Sequence, residues 1–329
     1  MGALLEVENL NVSFPTERGV IDVVQGVSFR LSPGETLAIV GESGSGKSVS
    51  ALALMRLLGK ARVSADTMRF AGTDLLSATE AQLRAIRGKE IAMIFQDPMT
   101  SLNPVLTVGR QLTEMFELHM GLSAGAARKE AINLLKLVGV PSPQERLNAY
   151  PHHFSGGMRQ RVMIAMAVAC RPKLLIADEP TTALDVTIQA QILDIIAGLQ
   201  RDFGMAIIMI THDLGVVAGI ADRMAVMYSG RVVEHGLTEN VFADPRMPYT
   251  RGLLGSVPRF DLDDAEMIPI PGTPPDPAKR PPGCCFSPRC SVMFDRCLRE
   301  QPALFVTGVD RGAACFLAAP AAAYEGVPS

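Results

Sequence analysis

The chain has 329 residues, of which 48% are hydrophobic, and its formal net charge at pH 7 is −3. A chain of this size can form one large domain or two smaller ones, and its charge excludes a general attraction to nucleic acid or to an anionic membrane surface. Because the sequence has no apolar run near the roughly 20 residues of a bilayer span and no signal-peptide pattern, we expect a cytoplasmic location.

The first predicted elements are three strands. Residues 4–14 and 23–31 alternate apolar and polar side chains, which predicts two strands of a half-buried sheet, the first at its edge. Residues 36–40 form a short apolar run that predicts a buried strand. Phe14 is placed either to stack on an adenine ring or to pack in the core, and its position alone favours neither role.

A glycine-rich stretch follows the third strand. Residues 41–48, Gly-Glu-Ser-Gly-Ser-Gly-Lys-Ser, fit the phosphate-loop pattern G-x-x-x-x-G-K-[ST] at every fixed position, and an Ala- and Leu-rich helix is predicted over 48–58. Glycines let the backbone curl around an anion, and the helix N-terminus adds partial positive charge. Lys47 would reach the β- and γ-phosphates, and Ser48 would offer its hydroxyl to Mg²⁺. The predicted nucleotide contacts are Gly41, Ser43, Gly44, Ser45, Gly46, Lys47 and Ser48. A Gly-Ser linker is the alternative, which the flanking strand and helix disfavour.

The middle of the chain alternates helical and strand patterns. An apolar run over 91–97 ends near Gln96, and helical spacing covers 107–138 with breaks near Gly121 and Gly125. Ser155 is predicted to cap a helix that runs from about 158 to 169. The remaining predictions are strands over 173–177, 206–210, 223–228 and 231–234, and a helix over 186–203.

Polar residues follow three of these strands. In open α/β sheets, ligands bind beyond the carboxyl ends of the strands. Asp178 would hold Mg²⁺ through water, and Glu179 would polarise the attacking water as general base. Gln96 would contact Mg²⁺ and the water, and His212 would donate to the γ-phosphate. A solvated acidic pair and a structural histidine are the alternatives for Asp178–Glu179 and His212.

The C-terminal part has a different composition. Residues 258–283 are Pro-rich and predict an extended linker. Five of the six cysteines lie in the last 46 residues, and such clustering in a cytoplasmic chain favours metal over disulfides. Four thiolates suit zinc or a cubane iron–sulfur cluster, but structural zinc sites usually pair cysteines as C-x₂₋₄-C. The spacing here is C-x₅-C-x₆-C-x₁₇-C, from Cys284, Cys290, Cys297 and Cys315.

The order of these motifs resembles the nucleotide-binding subunit of ABC transporters over about residues 4–250. The stretches that carry the resemblance are the phosphate loop, Gln96, Phe-Ser-Gly-Gly-Met-Arg-Gln-Arg (154–161), Leu-Leu-Ile-Ala-Asp-Glu-Pro (174–180) and Ile-Thr-His-Asp (210–213). The resemblance implies an α/β P-loop ABC-type nucleotide-binding domain with a RecA-like core, an antiparallel β subdomain and a helical subdomain. It also implies that Ser155, Gly157 and Gln160 cap the γ-phosphate of ATP bound by a second subunit, with residues 182–185 at the dimer seam.

A finer resemblance lies in residues 95–104, 247–254 and 283–290. They look like the ATP-binding subunits of bacterial dipeptide and oligopeptide importers, close to the subunits that carry a C-terminal iron–sulfur cluster. This implies a [4Fe–4S] cluster held by the four cysteines named above, with Cys285 as a neighbour, in a small Cys-rich C-terminal domain. The implied domains are therefore an ATP-binding domain over 1–257 and a linker with Cys-rich domain over 258–329.

The resemblance implies an ATP hydrolase that binds ATP and Mg²⁺ and powers peptide import at the cytoplasmic face of the inner membrane. Its expected partners are a second homologous ATPase, two membrane permeases and, indirectly, a periplasmic peptide-binding protein, without nucleic acid. A related nickel or glutathione importer is the alternative. A soluble ABC ATPase of DNA repair or translation is disfavoured by the single phosphate loop and the net charge. The intact Lys47, Asp178 and Glu179 disfavour a regulatory protein with an inactive core.

Overall fold

The computed structural model describes residues 2–17, 19–182, 184–256 and 269–320, without the side chains of Pro98 and Met99. The domain boundary predicted at 257/258, the first part of the Pro-rich stretch, Ala183 of the predicted dimer seam and the tail from residue 321 lie outside the described residues. The division into domains 1–257 and 258–329 therefore stays a prediction.

The described residues form both strands and helices. The strands are β1 (Leu5–Thr16), β2 (Gly19–Leu31), β3 (Thr36–Val40), β4 (Arg62–Ser64), β5 (Thr67–Phe70), β6 (Thr73–Asp74), β7 (Ile91–Ile94), β8 (Leu174–Asp178), β9 (Ala206–Thr211), β10 (Arg223–Tyr228), β11 (Arg231–Leu237), β12 (Phe305–Gly308) and β13 (Arg311–Ala313).

The helices are distributed along the whole chain. They are α1 (Lys47–Leu54), α2 (Glu80–Ile86), α3 (Pro98–Ser101), α4 (Val108–Met120), α5 (Ala124–Leu137), α6 (Pro143–Arg146), α7 (Gly156–Val168), α8 (Val186–Phe203), α9 (Leu214–Ile220), α10 (Thr238–Ala243), α11 (Pro248–Gly255) and α12 (Asp295–Arg299). None of the helices in the described part of the chain has the length and hydrophobicity of a bilayer span.

The first of two compact units comprises residues 1–31, 36–76 and 210–329 and contains an antiparallel sheet. Its strand order is β2-β1-β5-β6, and β4 also pairs with β1. The prediction that residues 4–14 form an edge strand is wrong, because β1 pairs with β2 on one side and with β5 on the other. Alternation shows that one face is buried, but it does not show how many neighbouring strands the backbone has.

The second set of strands in this unit has the order β12-β13-β11-β10-β3. Strand β3, which precedes the phosphate loop, is buried along its whole length and pairs in parallel with β10. Strand β13 pairs antiparallel with β11, with Ala313 opposite Glu234. Within the described residues, β12 and β13 therefore extend the sheet that carries the phosphate loop.

The core of this unit mixes residues from both ends of the chain. Val40 of β3 and Tyr228 of β10 belong to the same buried cluster as Phe286, Cys297 and Phe316. The ring of Tyr228 lies 4.5 Å from that of Tyr249 and 5.4 Å from that of Phe286. A Cys-rich domain with a core of its own is not shown, since the cysteine-bearing segment packs on these aromatic rings.

The second unit comprises residues 32–35 and 77–209 and contains strands in the order β9-β8-β7, with the end of β9 assigned to the first unit. The parallel pair β7 and β8 is fully buried. The predicted helix break near Gly121 is confirmed, because α4 ends there in the left-handed conformation. The break predicted near Gly125 is wrong, because the Ser123 side chain caps a new helix whose second residue is Gly125. A glycine in a first turn weakens a helix but does not end it.

Candidate nucleotide-binding site

The phosphate loop joins β3 to α1 in the first unit. Its three glycines have φ values of 150°, 77° and 99° at Gly41, Gly44 and Gly46, a region that side chains rarely adopt. Gly46 is the N-cap of α1 and has no side chain that could accept from the first-turn amides. A Cβ on Gly41 would lie 2.2 Å from the carbonyl oxygen of Met227. The loop therefore has the close backbone curvature that phosphate binding requires.

Lys47 lies over this loop. Its ammonium donates to the carbonyl oxygens of Gly41 at 2.6 Å and Glu42 at 3.0 Å, and its side chain is only 5% exposed. Ser45 is buried, Ser43 is exposed, and Ser48 is partly exposed in the first turn of α1. A short loop of this kind with a cation above it can hold an anion of the size of a phosphate group.

Two further predicted residues lie in the first unit. Phe14 is half-buried on β1 and pairs with Ile21 of β2, so stacking and packing both stay open. His212 follows β9 and is exposed. The Asp213 side chain next to it caps α9 by accepting from the amides of Gly215 at 2.8 Å and Val216 at 3.3 Å. This cap fixes the backbone that carries His212.

The predicted acidic pair lies in the second unit with Gln96. Asp178 is the buried last residue of β8, and Glu179 follows with a positive φ of 47°. Gln96, two residues beyond β7, donates from Nε2 to Oε2 of Glu179 at 2.9 Å. The hydroxyl of Thr182 donates to the same oxygen at 2.8 Å. The structure therefore brings Gln96 and Glu179 together and adds Thr182 to them.

The predicted signature residues are at the start of α7. Ser155 is exposed and caps this helix by accepting from the amide of Met158 at 3.4 Å, as predicted. A Cβ on Gly157 would meet the Ile188 side chain at 3.0 Å. Gln160 is only 3% exposed, and its Nε2 donates to the carbonyl oxygen of Pro180 at 2.6 Å. Ser155 and Gly156 are thus exposed, whereas Gln160 points into its own unit.

Comparison with known proteins identifies the family. A family model described as ABC transporter matches residues 24–182, and one described as Oligopeptide/dipeptide transporter, C-terminal region, matches 233–297. The dipeptide transport ATP-binding protein DppD of Bacillus subtilis (strain 168) is 54% identical over 319 residues, which cover 96% of this chain and 95% of that protein. The chain belongs to the family of peptide-transport ATP-binding subunits of ABC transporters. This confirms the family that the motif order predicts.

Other members and solved structures agree with this assignment. The oligopeptide transport ATP-binding protein OppD of Salmonella typhimurium is 53% identical over 95% of this chain and 93% of that protein. The dimeric post-hydrolysis structure of the ATP-binding cassette MJ0796 bound to ADP and Pi has a TM-score of 0.64 at 26% identity, covering 71% of this chain and 98% of that one. The structure of cbiO1 from Clostridium perfringens has a TM-score of 0.63 at 29% identity, covering 74% and 92%. The ABC ATPase fold is therefore confirmed.

In this peptide-transport ATP-binding subunit, the C-terminal cysteines share one cavity. A cavity of about 330 Å³, including its mouth, is lined by Cys284, Cys290, Cys297 and Cys315. Cys285 lines a different, smaller cavity, of about 220 Å³, together with Tyr228 and Gln301. The cysteines are free thiols. The four predicted ligands thus line one cavity, whereas Cys285 lines only the smaller one, which it shares with Cys284.

Three of the thiols that line this cavity have raised pKa values. Burial raises the pKa of the Cys284 thiol to about 12 and also raises the pKa of Cys290 and Cys315. In the described part of the chain, no group of three or more His, Cys, Asp or Glu side chains is arranged to hold a metal ion. Four thiols are the kind of donor that binds an iron–sulfur cluster. The positions of the cysteine side chains, however, do not form a metal site.

Several residues make contacts at the site that the sequence does not predict. Thr182 holds Glu179, and Tyr249 and Arg289 contact the phosphate loop at Glu42. Arg280 donates to the carbonyl oxygens of Asp22 and Val23 near the loop. These contacts join residues far apart in the chain, so only the fold reveals most of them.

Proposed function

We propose that this chain is the ATP-binding and ATP-hydrolysing subunit that powers import of di- or oligopeptides through an ABC transporter at the inner membrane. The observation that carries the proposal is the phosphate loop, with Gly46 at the N-terminus of α1 and Lys47 over its carbonyl oxygens. The names of the relatives, which are dipeptide and oligopeptide transport proteins, support the substrate class. A nickel or glutathione importer is the second candidate, because the motifs of the ATP site do not contact the cargo.

ATP would bind on the phosphate loop. The backbone amides of residues 41–48 and the ammonium of Lys47 would hold the phosphates, and Phe14 would stack on the adenine. Ser48, Gln96 and Asp178 would hold Mg²⁺, which when bound neutralises charge on the phosphates. An acidic residue buried at the end of β8 and a hydroxyl at the start of α1 are oxygen ligands of the kind that Mg²⁺ prefers.

Hydrolysis would be carried out by the residues that follow the strands. Glu179 would take a proton from the attacking water, and Gln96 would orient both the water and the carboxylate that accepts the proton. His212 would donate a hydrogen bond to the γ-phosphate. The capping of α9 by Asp213 keeps the backbone beside His212 in place for this contact.

A second ATPase subunit would complete the site. The exposed N-terminus of α7, with Ser155 and Gly157, would cap the γ-phosphate of ATP held by the partner chain. Gln160 is buried in this chain, so it would support this cap indirectly, by holding its own helix against the carbonyl oxygen of Pro180. The dimeric form of MJ0796 bound to ADP and Pi supports such an arrangement. Residues 182–185 would lie at the seam.

The membrane partners would be two permeases, with a periplasmic peptide-binding protein acting through them. Four large apolar side chains between residues 95 and 120 are exposed in the second unit, which is the kind of surface that a partner covers. They are Phe95, Val105, Leu118 and Met120. The subunit would bind peripherally to the cytoplasmic face of the membrane.

The test of this function is nucleotide binding and turnover by the purified chain, alone and with its partners. We expect Mg-ATP to bind the parent chain, K47A to lose that binding, and hydrolysis to stay slow until the partner ATPase and permeases are added. Slow turnover alone follows because Ser155 and Gly157 complete a site only on another chain. A monomer that hydrolyses ATP as fast as the assembly would contradict the proposal.

We also propose that residues 258–329 carry a [4Fe–4S] cluster on Cys284, Cys290, Cys297 and Cys315, as a small Cys-rich module. The shared cavity supports it, and the choice of four ligands is supported because Cys285 does not line that cavity. A cluster would replace the thiol protons and add folding free energy to a segment with a small core.

Anaerobic purification followed by iron, sulfide, zinc and visible-spectrum analysis tests the cluster. We expect about four irons per chain and a broad band near about 400 nm, the mark of thiolate-bound iron–sulfur clusters. The matched pair is C290S, which should lose iron, and C285S, which should keep it. One zinc per chain without colour, or equal iron in both variants, would contradict the assignment.

A further inference from the structure

Glu42, the second residue of the phosphate loop, is held by two residues from the last third of the chain. Nη1 and Nη2 of Arg289 donate to its Oε2 at 2.6 Å and its Oε1 at 2.9 Å, a bidentate ion pair. The backbone amide of Glu42 donates to the hydroxyl of Tyr249 at 2.9 Å. Both the side chain and the backbone of Glu42 are therefore fixed from outside the loop.

Arg289 is itself fixed by a full set of acceptors. Its Nε donates to the carbonyl oxygen of Pro271 at 2.8 Å, Nη1 also donates to the hydroxyl of Tyr228 at 3.4 Å, and Nη2 also donates to the carbonyl oxygen of Ile270 at 3.4 Å. A guanidinium has five N–H donors, and with the two to Glu42 all five have an acceptor here. The Arg289 side chain is 4% exposed, against 28% for Glu42. Such a contact is a built feature of the fold, unlike a mobile surface pair.

The charge of Glu42 makes this contact matter for nucleotide binding. The loop that would hold a triphosphate carries a carboxylate, and like charges at short range repel strongly where solvent is partly excluded. Arg289 neutralises that carboxylate and turns both of its oxygens toward the guanidinium. Without Arg289 the loop would present an unpaired negative charge beside its anion site.

We propose that Arg289 is a positioning residue of the ATP site, which neutralises and orients Glu42 so that the phosphate loop accepts the triphosphate. The inference rests on the proposed role of residues 41–48 as the ATP site. Arg289 directly precedes Cys290, which lines the cysteine cavity. The contact therefore makes the ATP affinity of this chain depend on the integrity of its cysteine-bearing segment.

The alternative is that Arg289 only anchors this segment, and the chain contains a matched control for that role. Arg311 anchors the same segment through Asp244, at 3.5 Å between Nη1 and Oδ2, and through the buried Glu234, at 3.7 Å. Its side chain is 12% exposed, so it is also a largely enclosed arginine in an ion pair. An anchoring role predicts the same behaviour for both arginines, whereas a positioning role separates them.

The experiment measures the Kd for Mg-ATP and the Tm of the full chain for the parent and four variants: R289Q, E42Q/R289Q, R289K and R311Q. We expect R289Q to weaken ATP binding roughly tenfold, the size expected for losing a charged hydrogen-bonded partner. The double variant should recover most of the affinity, because the repelling carboxylate is gone. R289K should lie between, because lysine keeps the charge but not the five donors. R311Q should lower Tm and keep the parent Kd.

The following results would overturn the inference. Equal Kd values for R289Q and R311Q at similar Tm would make Arg289 an anchor only. A double variant that binds ATP no better than R289Q would lead to the same conclusion. If R289Q does not fold, R289K binding ATP like the parent would also show that Arg289 is only an anchor.

The K47A variant distinguishes failure of this inference from failure of the proposed ATP site. If K47A loses ATP but R289Q does not, this inference alone fails. If K47A binds ATP like the parent, the proposed role of the loop fails, and this inference fails with it.

Discussion

Nε2 of Gln96 donates to Oε2 of Glu179 at 2.9 Å, and the hydroxyl of Thr182 donates to the same oxygen at 2.8 Å. Glu179 also has a left-handed backbone, which a glutamate adopts only when its surroundings hold it there. Two donors on one carboxylate oxygen fix the orientation of the side chain. Glu179 is therefore oriented in the absence of substrate, which is what its proposed role as general base requires.

The first prediction concerns this carboxylate. The E179Q variant should bind Mg-ATP like the parent but lose hydrolysis by about 10²–10⁴-fold, because it removes the base and leaves the phosphate loop intact. The measurement is ATP binding by the chain and ATP turnover in the assembled transporter. T182V is a useful companion, since it removes one donor but keeps the carboxylate, and it should reduce turnover much less. Parent-rate turnover by E179Q would show that another group is the base.

The second prediction separates two glycines of the phosphate loop. Both have positive φ, so alanine at either position carries a backbone penalty of about 1–2 kcal/mol. A Cβ at Gly41 would also lie 2.2 Å from the Met227 carbonyl oxygen, whereas a Cβ at Gly44 meets no atom within 4 Å. We expect G41A to lose ATP binding and G44A to keep much of it, as measured by titration with Mg-ATP. Equal losses would mean that the packing of β10 on the loop is unimportant.

The third prediction concerns pH. Burial lowers the pKa of His235 below its usual value of 6.5, and the charge of Arg223 lowers it further. The unfolded chain therefore takes up this proton at a higher pH than the folded chain. Stability is retained above the unfolded pKa and falls as pH drops through about 6.5 toward the lower folded pKa. The H235Q variant should show a smaller fall in Tm between about pH 7.5 and about pH 5.5, a range that lies on both sides of the unfolded pKa. Parallel Tm curves for parent and H235Q would contradict this.

The fourth prediction concerns the loop that follows Gln96. Asn103 is exposed, but its backbone is fixed by the side chain of the buried Gln111. Oε1 of Gln111 accepts from the backbone amide of Asn103 at 2.9 Å, and Nε2 of Gln111 donates to the carbonyl oxygen of Asn103 at 3.0 Å. A fixed, exposed loop suits contact with a permease. We expect a crosslinker on N103C to capture a permease subunit, and one on the exposed D202C at the end of α8 to capture none. Equal capture from both positions would argue against this docking loop.

The sequence predicts the parts of the fold that have a strong local pattern. The bounds of α8, the buried strand β3, the Ser155 cap and the phosphate loop all agree with the structure. Strands β4, β5 and β6 are not predicted, because they have only three, four and two residues, too few for a periodic pattern. Strands β4 and β5 pair with β1 and β6 pairs with β5, and these pairings are decided by tertiary contacts.

The contact between Arg289 and Glu42 shows why part of the site is invisible in the sequence. The two residues are 247 positions apart, and neither local pattern indicates a partner. The phosphate-loop pattern leaves position 42 unspecified, so Glu42 carries no signal of its own. The cysteine spacing likewise indicates a shared site, but only the fold brings this segment onto the sheet that carries the phosphate loop.

The most direct test of the central proposal is peptide transport by the reconstituted complex. Proteoliposomes containing the permeases, both ATPase subunits and the binding protein are loaded with Mg-ATP on the side of the ATPases, and uptake of a labelled dipeptide is measured. We expect uptake with the parent chain, and its loss when this chain alone carries E179Q in a complex that still binds ATP. Uptake at the parent rate with E179Q in this chain would contradict the account, because another site would then be powering import.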